Sequence, residues 1–184
     1  MIKEDIIIYD DFVTTSYHQE ILNILNPLSF DWKYNPNISS TNSKNLEYFG
    51  FTHTLHNAQL NTWVSKYDVI KPLVYQIKDT ANCKNILRAR FDMTLYNKNN
   101  LMHEPHIDFE IPHIASIYYV NDTDGDTIIF NEKKLNEKYT IKKRITPKAN
   151  RLVLFKGEFV HTGCSPSKTA NRILINSNYN LGVN

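Results

Sequence analysis

The sequence predicts an α+β fold that is mainly β, a jelly roll or β-sandwich with N-terminal helices packed on one of its sheets. Three observations predict it. Helical periodicity is confined to the first 84 positions, and from Asn85 onward short strand-like runs recur. Turn clusters such as Asn121-Asp122-Thr123-Asp124-Gly125-Asp126 and Lys156-Gly157-Glu158 separate those runs. A chain of 184 residues is most economically one domain, 1–184, with 1–84 as a helical support region and 85–184 as a barrel.

Ile6-Ile7-Ile8-Tyr9-Asp10-Asp11-Phe12-Val13 reads as a strand, and Thr14-Thr15-Ser16 offers hydroxyls to cap the helix marked by Ile21, Leu22, Ile24 and Leu25. Tyr34 to Lys44, rich in Asn and Ser, reads as a long loop, and the wider segment 34–51 is a candidate lid. Asp68 is placed to cap a second helix over about Val69 to Ala81, with Pro72 in its first turn, where a missing N–H costs little. Ile86 to Tyr96 alternates polar and apolar positions in its second half, as a half-buried strand does. Further strands are expected at Ile114 to Val120, Thr127 to Phe130, Tyr139 to Lys142, Arg151 to Phe155 and Arg172 to Tyr179.

With 21 basic and 19 acidic residues the net charge is +2, so neither nucleic acid nor an anionic membrane is demanded as a partner. Lys133, Lys134, Lys138, Lys142, Lys143 and Arg144 read as the solvated edge of a hairpin. The opening run of three isoleucines is too short for a signal-peptide core or a spanning helix, so a soluble, cytoplasmic protein is expected. Cys83 and Cys164 are expected as free thiols, two cysteines being neither a disulfide framework nor a zinc-finger spacing.

The chemistry-bearing residues fall in the β half. His106-Ile107-Asp108 would project both polar side chains to one face of a strand, and His161 follows 53 residues after Asp108. Two imidazoles and a carboxylate suit a mononuclear Fe(II) centre that keeps three positions open. Arg172, eleven residues after His161, would lie beside the His161 strand if the two form a hairpin, and an arginine facing a barrel interior needs an anion. A zinc-protease reading of His103-Glu104-Pro105-His106 fails, because the helical i, i+4 position is Ile107 and Pro105 opposes a helix. A calcium loop at Asp122 fails as well: its sixth position lacks glycine and Lys133 stands where a bidentate Glu belongs, so the segment reads as an acidic hairpin turn.

In its second half the chain resembles the Fe(II)- and 2-oxoglutarate-dependent dioxygenases of the prolyl 4-hydroxylase-like group. The matching pieces, in order, are Leu95-Tyr96, Pro105-His106-Ile107-Asp108, Ile117-Tyr118-Tyr119-Val120-Asn121, Gly125-Asp126-Thr127-Ile128-Ile129-Phe130, Asn150 to Phe155, His161 and Asn171-Arg172. The resemblance implies a double-stranded β-helix, cupin-like in outline. It implies that His106, Asp108 and His161 bind iron and that Arg172 pairs with the distal carboxylate of 2-oxoglutarate. Tyr119 is then a candidate for the same carboxylate, with Tyr118 facing away, while Tyr96 and Thr127 would line the cosubstrate pocket. The implied activity is hydroxylation with O₂, 2-oxoglutarate being decarboxylated to succinate, with ascorbate an optional reductant. A prolyl residue of a peptide or protein is the substrate expected by resemblance, ahead of other peptidyl side chains or a small free metabolite.

Two departures stand where substrate enters: Asn97-Lys98-Asn99 replaces the family's Pro-Gly after the tyrosine, and Asp124-Gly125 replaces its paired glycines. Asn178, often aromatic in relatives, makes the pocket more polar. His103 and His113 are read as surface or supporting residues and not as ligands. The rival readings are a cupin-like metal-binding protein without turnover, which has no need of Arg172, and a zinc hydrolase using the same triad.

Overall fold

The computed structural model describes residues 2–25, 29–39, 46–135 and 138–182. Strand β1 (Ile6–Tyr9) is shorter than its apolar run suggests. The chain turns at Asp11, whose φ of 51° ends the extended path, and the Asn150 side chain then holds both Val13 N and Val13 O. Helix α1 (Thr15–Ile24) follows, with Thr14 Oγ1 accepting from Tyr17 N at 3.3 Å as an N-cap.

Tyr34 and Asn35, expected in a loop, belong to β2 (Lys33–Asn35), which pairs with β3 (Gly50–Asn57). Residues 40–45 of the candidate lid lie outside the described residues. Strand β4 (Thr62–Trp63) pairs back on β3. The second helix begins later than predicted: Asp68–Ile70 is a 3-10 turn, Asp68 pairs with Lys71 at 2.7 Å without capping, and α2 spans Lys71–Thr80 with Pro72 in its first turn.

The β half comprises β5 (Asn85–Leu95), β6 (His113–Tyr119), β7 (Thr127–Phe130), β8 (Ile141–Ile145), β9 (Arg151–Lys156), β10 (His161–Gly163) and β11 (Asn171–Asn180). Two antiparallel sheets result. The larger runs β1-β9-β6-β11-β5-β3-β2, with β4 beside β3, and the smaller runs β10-β7-β8. The support region therefore gives strands to the main sheet as well as helices.

Pleating sorts the central strands into two buried layers. Ala115, Ile117 and Tyr119 of β6, Val153 and Phe155 of β9 and Leu174 of β11 meet Ile129 and Ile145 of the small sheet, which closes the jelly roll. The alternate residues Ile114, Tyr118, Val120, Leu152, Leu154 and Ile175 share a core with Ile21 and Leu25 beneath α1 and with Leu73, Val74 and Ile77 of α2. Polar contacts fix that second layer, for His18 Nδ1 lies 2.7 Å from Tyr118 Oη and Tyr179 Oη donates to Val74 O at 3.0 Å. The acidic segment 122–126 is a crossover between sheets and not a hairpin turn, since β6 and β7 belong to different sheets. Asp124 organises it by accepting from Ser167 N, Lys168 N and Thr169 N, and these bonds hold its carboxyl below the usual range against the opposing effect of burial.

Candidate metal and cosubstrate site

His106 and His161 face each other across an isolated antiparallel bridge, His106 N donating to His161 O at 2.9 Å and His161 N to His106 O at 3.0 Å. Each ring spends its Nδ1 on a nearby carbonyl: His106 on Glu104 O at 3.0 Å, His161 on Phe159 O at 3.1 Å. A carbonyl can only accept, so Nδ1 carries a proton in both rings, and in the neutral form of each ring Nε2 is the nitrogen with the lone pair. The rings lie 4.6 Å apart, and ligand atoms of His106, Asp108 and His161 all fall within 4.8 Å of one another.

The pleat alone does not preform the dyad. His106 sits in a single bridge and Asp108 in a bend beyond it, so the carboxylate is placed by partners on other strands. Arg88 of β5 donates to Oδ1 at 2.6 Å and Asn178 of β11 to Oδ2 at 2.8 Å. Burial would raise the Asp108 pKa, but Arg88, then His161 and His106, hold it well below the carboxylate range. The carboxylate is an anion in place. His106 is pushed down to about 4, first by burial and then by His161, so its ring is neutral near pH 7. His161 Nε2 is buried without a hydrogen-bond partner, 3.6 Å from Asp108 Oδ2.

Arg172 is 5% exposed and lines the same cavity as His106 and His161. It does not neighbour the His161 strand by pairing, because β11 pairs with β5 and β6 while β10 pairs with β7. The two meet across the barrel instead, where a Cβ on Gly163 would lie 3.1 Å from Arg172 Nη1. Arg172 Nη2 donates to Thr127 Oγ1 at 2.7 Å, Tyr119 Oη donates to the same oxygen at 2.6 Å, and the guanidinium stands 5.6 Å from the Tyr119 ring centroid. With two bonds accepted, the Thr127 hydroxyl proton remains free to donate. Arg172, Thr127 and Tyr119 thus form one cluster. Tyr118 faces the helix layer. Tyr96 is not brought to the cluster: β5 ends at Leu95, the chain leaves the sheet, and the ring is 56% exposed.

Sequence reasoning passed over the polar face of β5. Arg88, Arg90, Asp92 and Thr94 alternate with apolar residues and line the interior of the barrel together with Asn176 of β11. Arg90 Nε lies 2.8 and 2.9 Å from the two oxygens of Asp92, and burial raises the Asp92 pKa against the pull of Arg90. The signal is the alternation itself, which marks a half-buried strand without saying which way its polar face turns. His103 and His113 are both buried, not on the surface. His103 lines the inner cavity, whereas the His113 ring fills the space beside Gly157, where any side chain would collide with it.

Beside the triad a cleft of about 1030 Å³ opens to the surface, walled by Pro105, Ile107, Phe109 and Ile111, by Asn35 and Asn37, and by Lys133 and Lys134. Cys83 and Cys164 are free and buried, and no helix among the described residues is long and apolar enough to cross a membrane.

Residues 91–180 match the model of the 2OG-Fe(II) oxygenase superfamily. No curated protein matches the chain by sequence. Among solved structures, a Trichoplax adhaerens prolyl hydroxylase in complex with a hypoxia inducible factor peptide fragment superposes with a TM-score of 0.68 at 17% identity, covering 97% of this chain and 84% of that one. The viral collagen prolyl hydroxylase of Paramecium Bursaria Chlorella virus-1 gives 0.62 at 13% identity and 97% of both chains. HygX of Streptomyces hygroscopicus, solved with nickel, 2-oxoglutarate and hygromycin B, gives 0.58 at 10% identity, covering 97% of this chain and 83% of that one. These likenesses give the fold as a double-stranded β-helix.

Proposed function

We propose that this protein, whose residues 91–180 match the model of the 2OG-Fe(II) oxygenase superfamily, hydroxylates a prolyl residue of a peptide or protein, with O₂ and decarboxylation of 2-oxoglutarate to succinate. The observation that carries the oxygenase reading is the pairing of two sites within one cavity. His106 and His161, whose ligand atoms converge with that of Asp108, line the same cavity as a buried, only partly paired Arg172 guanidinium.

The residues fit the metal. His161 Nε2 is an orphaned buried acceptor, His106 Nε2 is directed to the same point, and each Asp108 oxygen retains lone-pair capacity after one bond. The Nδ1 bonds to Glu104 O and Phe159 O hold the rings in the ligating tautomer. His106, Asp108 and His161 would hold Fe(II), which supplies O₂ chemistry and a chelation site for the 2-oxo acid.

Everything else is binding and positioning. Arg172 would pair with the distal carboxylate, and the free Thr127 proton, backed by Tyr119, would add a donor to the same group. Arg88 and Asn178 keep the Asp108 carboxylate turned toward the histidines. With the carboxylate ligand present, no ligand position is vacated for a halide, which favours hydroxylation.

A prolyl substrate is supported by the open cleft, whose Pro105, Phe109 and Ile111 wall suits an extended peptide. A second reading, a small polar metabolite, is favoured by the polar inner cavity, lined by Arg90, Asp92 and Asn176. Mass spectrometry of proline-containing peptides after incubation with Fe(II), 2-oxoglutarate and air tests the first. One added oxygen on proline, dependent on both additions, is expected; succinate formation with no peptide oxidised refutes the prolyl assignment and leaves the second reading. The absence of any 2-oxoglutarate binding refutes both.

A further inference from the structure

We propose that His103 donates a hydrogen bond from Nδ1–H to the distal carboxylate of the 2-oxo acid held by Arg172. This rests on the function proposed above and adds a residue to it.

His103 is 2% exposed and lines the inner cavity with Arg172, Thr94 and Thr127. Its backbone is anchored on both sides, His103 N donating to Gly163 O at 3.0 Å and His103 O accepting from Thr162 Oγ1 at 2.7 Å. The Tyr48 ring packs at 5.4 Å between centroids and fixes the imidazole plane. Gly163 is also where the Arg172 guanidinium rests, so one residue places both side chains at the same end of the cavity.

The ring nitrogens have unequal partners. Nε2 lies 2.9 Å from Ser165 Oγ, while Nδ1 is buried with none. Ser165 uses its N–H on Leu101 O and its C=O on Asn100 Nδ2, which leaves its hydroxyl to serve the histidine. When that hydroxyl donates to Nε2, the neutral ring carries its proton on Nδ1, the buried nitrogen left without a partner.

Of the other unpartnered buried atoms on the same lining, Arg172 Nε and Thr94 Oγ1 carry hydrogens to donate. Leaving several such groups unpaired is costly, and a carboxylate, with two oxygens and about four lone-pair sites, satisfies donors of this kind together. Tyr96, which the family resemblance places in this pocket, is 56% exposed and does not line it. His103 supplies a donor that Tyr96 does not.

The test is equilibrium binding, without turnover, of 2-oxoglutarate and of 2-oxopentanoate, which has the same oxo-acid head and lacks the distal carboxylate. Both are titrated calorimetrically into Mn(II)-loaded wild type, His103→Phe and His103→Gln. Loss of a hydrogen bond to a charged group predicts that Phe weakens 2-oxoglutarate by about tenfold or more. 2-Oxopentanoate should change by less than about twofold, and Gln, which keeps an N–H donor, should recover part of the loss. Unchanged 2-oxoglutarate affinity in His103→Phe, or equal weakening of both ligands, overturns the proposal. No binding of 2-oxoglutarate to wild type, or binding that Arg172→Ala leaves unaltered, overturns the function it rests on.

Discussion

Replacing Thr127 by Val keeps the shape of the side chain and removes one oxygen on which two buried donors converge. Tyr119 Oη, on a fully buried ring, loses its acceptor at 2.6 Å, and Arg172 Nη2 loses its bond at 2.7 Å. An orphaned buried donor costs about 1–3 kcal/mol. For a chain of this size that is a fall in Tm of roughly 2–10 °C. Cosubstrate affinity falls as well, because the free Thr127 proton no longer reaches the carboxylate and the guanidinium loses a restraint. A bond to a charged acceptor is worth about 1.5–3 kcal/mol, so Kd for 2-oxoglutarate should rise about tenfold to a hundredfold. Thermal melts of the metal-free protein and calorimetry of 2-oxoglutarate against the Mn(II) form read the two effects separately. Thr127→Ser, which restores the oxygen and the proton, should recover both. Wild-type affinity in Thr127→Val would refute the view that Tyr119, Thr127 and Arg172 act as one carboxylate-binding unit, whatever the Tm did.

Two further perturbations address the metal end. His103 and His106 are both pushed from 6.5 to about 4, chiefly by burial, so the unfolded chain takes up protons before the native one does. Stability from these rings is complete above about pH 6.5 and is lost as pH falls toward 4, by on the order of 3 kcal/mol per ring; a Tm of the metal-free protein that stayed flat from pH 7 to 5 would contradict their burial as neutral groups. Arg88→Leu removes the part-exposed cation beside the buried Asp108 carboxylate and leaves it the Asn178 hydrogen bond and the two neighbouring histidines. Breaking a fully buried pair costs about 3–5 kcal/mol, and with Arg88 part-exposed the metal-free Tm should drop by less than that full cost implies. Added Mn(II), a replacement positive charge, should raise Tm more in the variant than in wild type; an equal rise would show that Arg88 does not neutralise Asp108.

The sequence made the order of site residues legible because the strands carrying them are short and punctuated. Thr127–Phe130 and Arg151–Lys156 stand between turn clusters, and His161 follows directly on the second. Their assignment to sheets was not legible. Every residue of β6 is buried, so His113–Tyr119 shows no alternation that would say which face meets the helices and which the cavity. β3 went unread since His53, Thr54 and His56 interrupt the apolar positions, although Phe51 and Leu55 mark the β-prone run between Gly50 and Asn57. The deeper obstacle lies in β5. Alternation announces a strand with two unlike faces, and the usual inference sends the polar face to water. In a barrel that holds a charged ligand the inference reverses: Arg88, Arg90, Asp92 and Thr94 face inward, while Phe91 and Ala89 pack beneath the helices. Two arginines and an aspartate spaced by single apolar residues are a costly set to bury without a purpose. Within a run that also precedes a His-x-Asp pair, that cost is itself evidence of a site. The residues that position Asp108 were therefore visible in the sequence as a pattern, and only the direction of its polar face was missing.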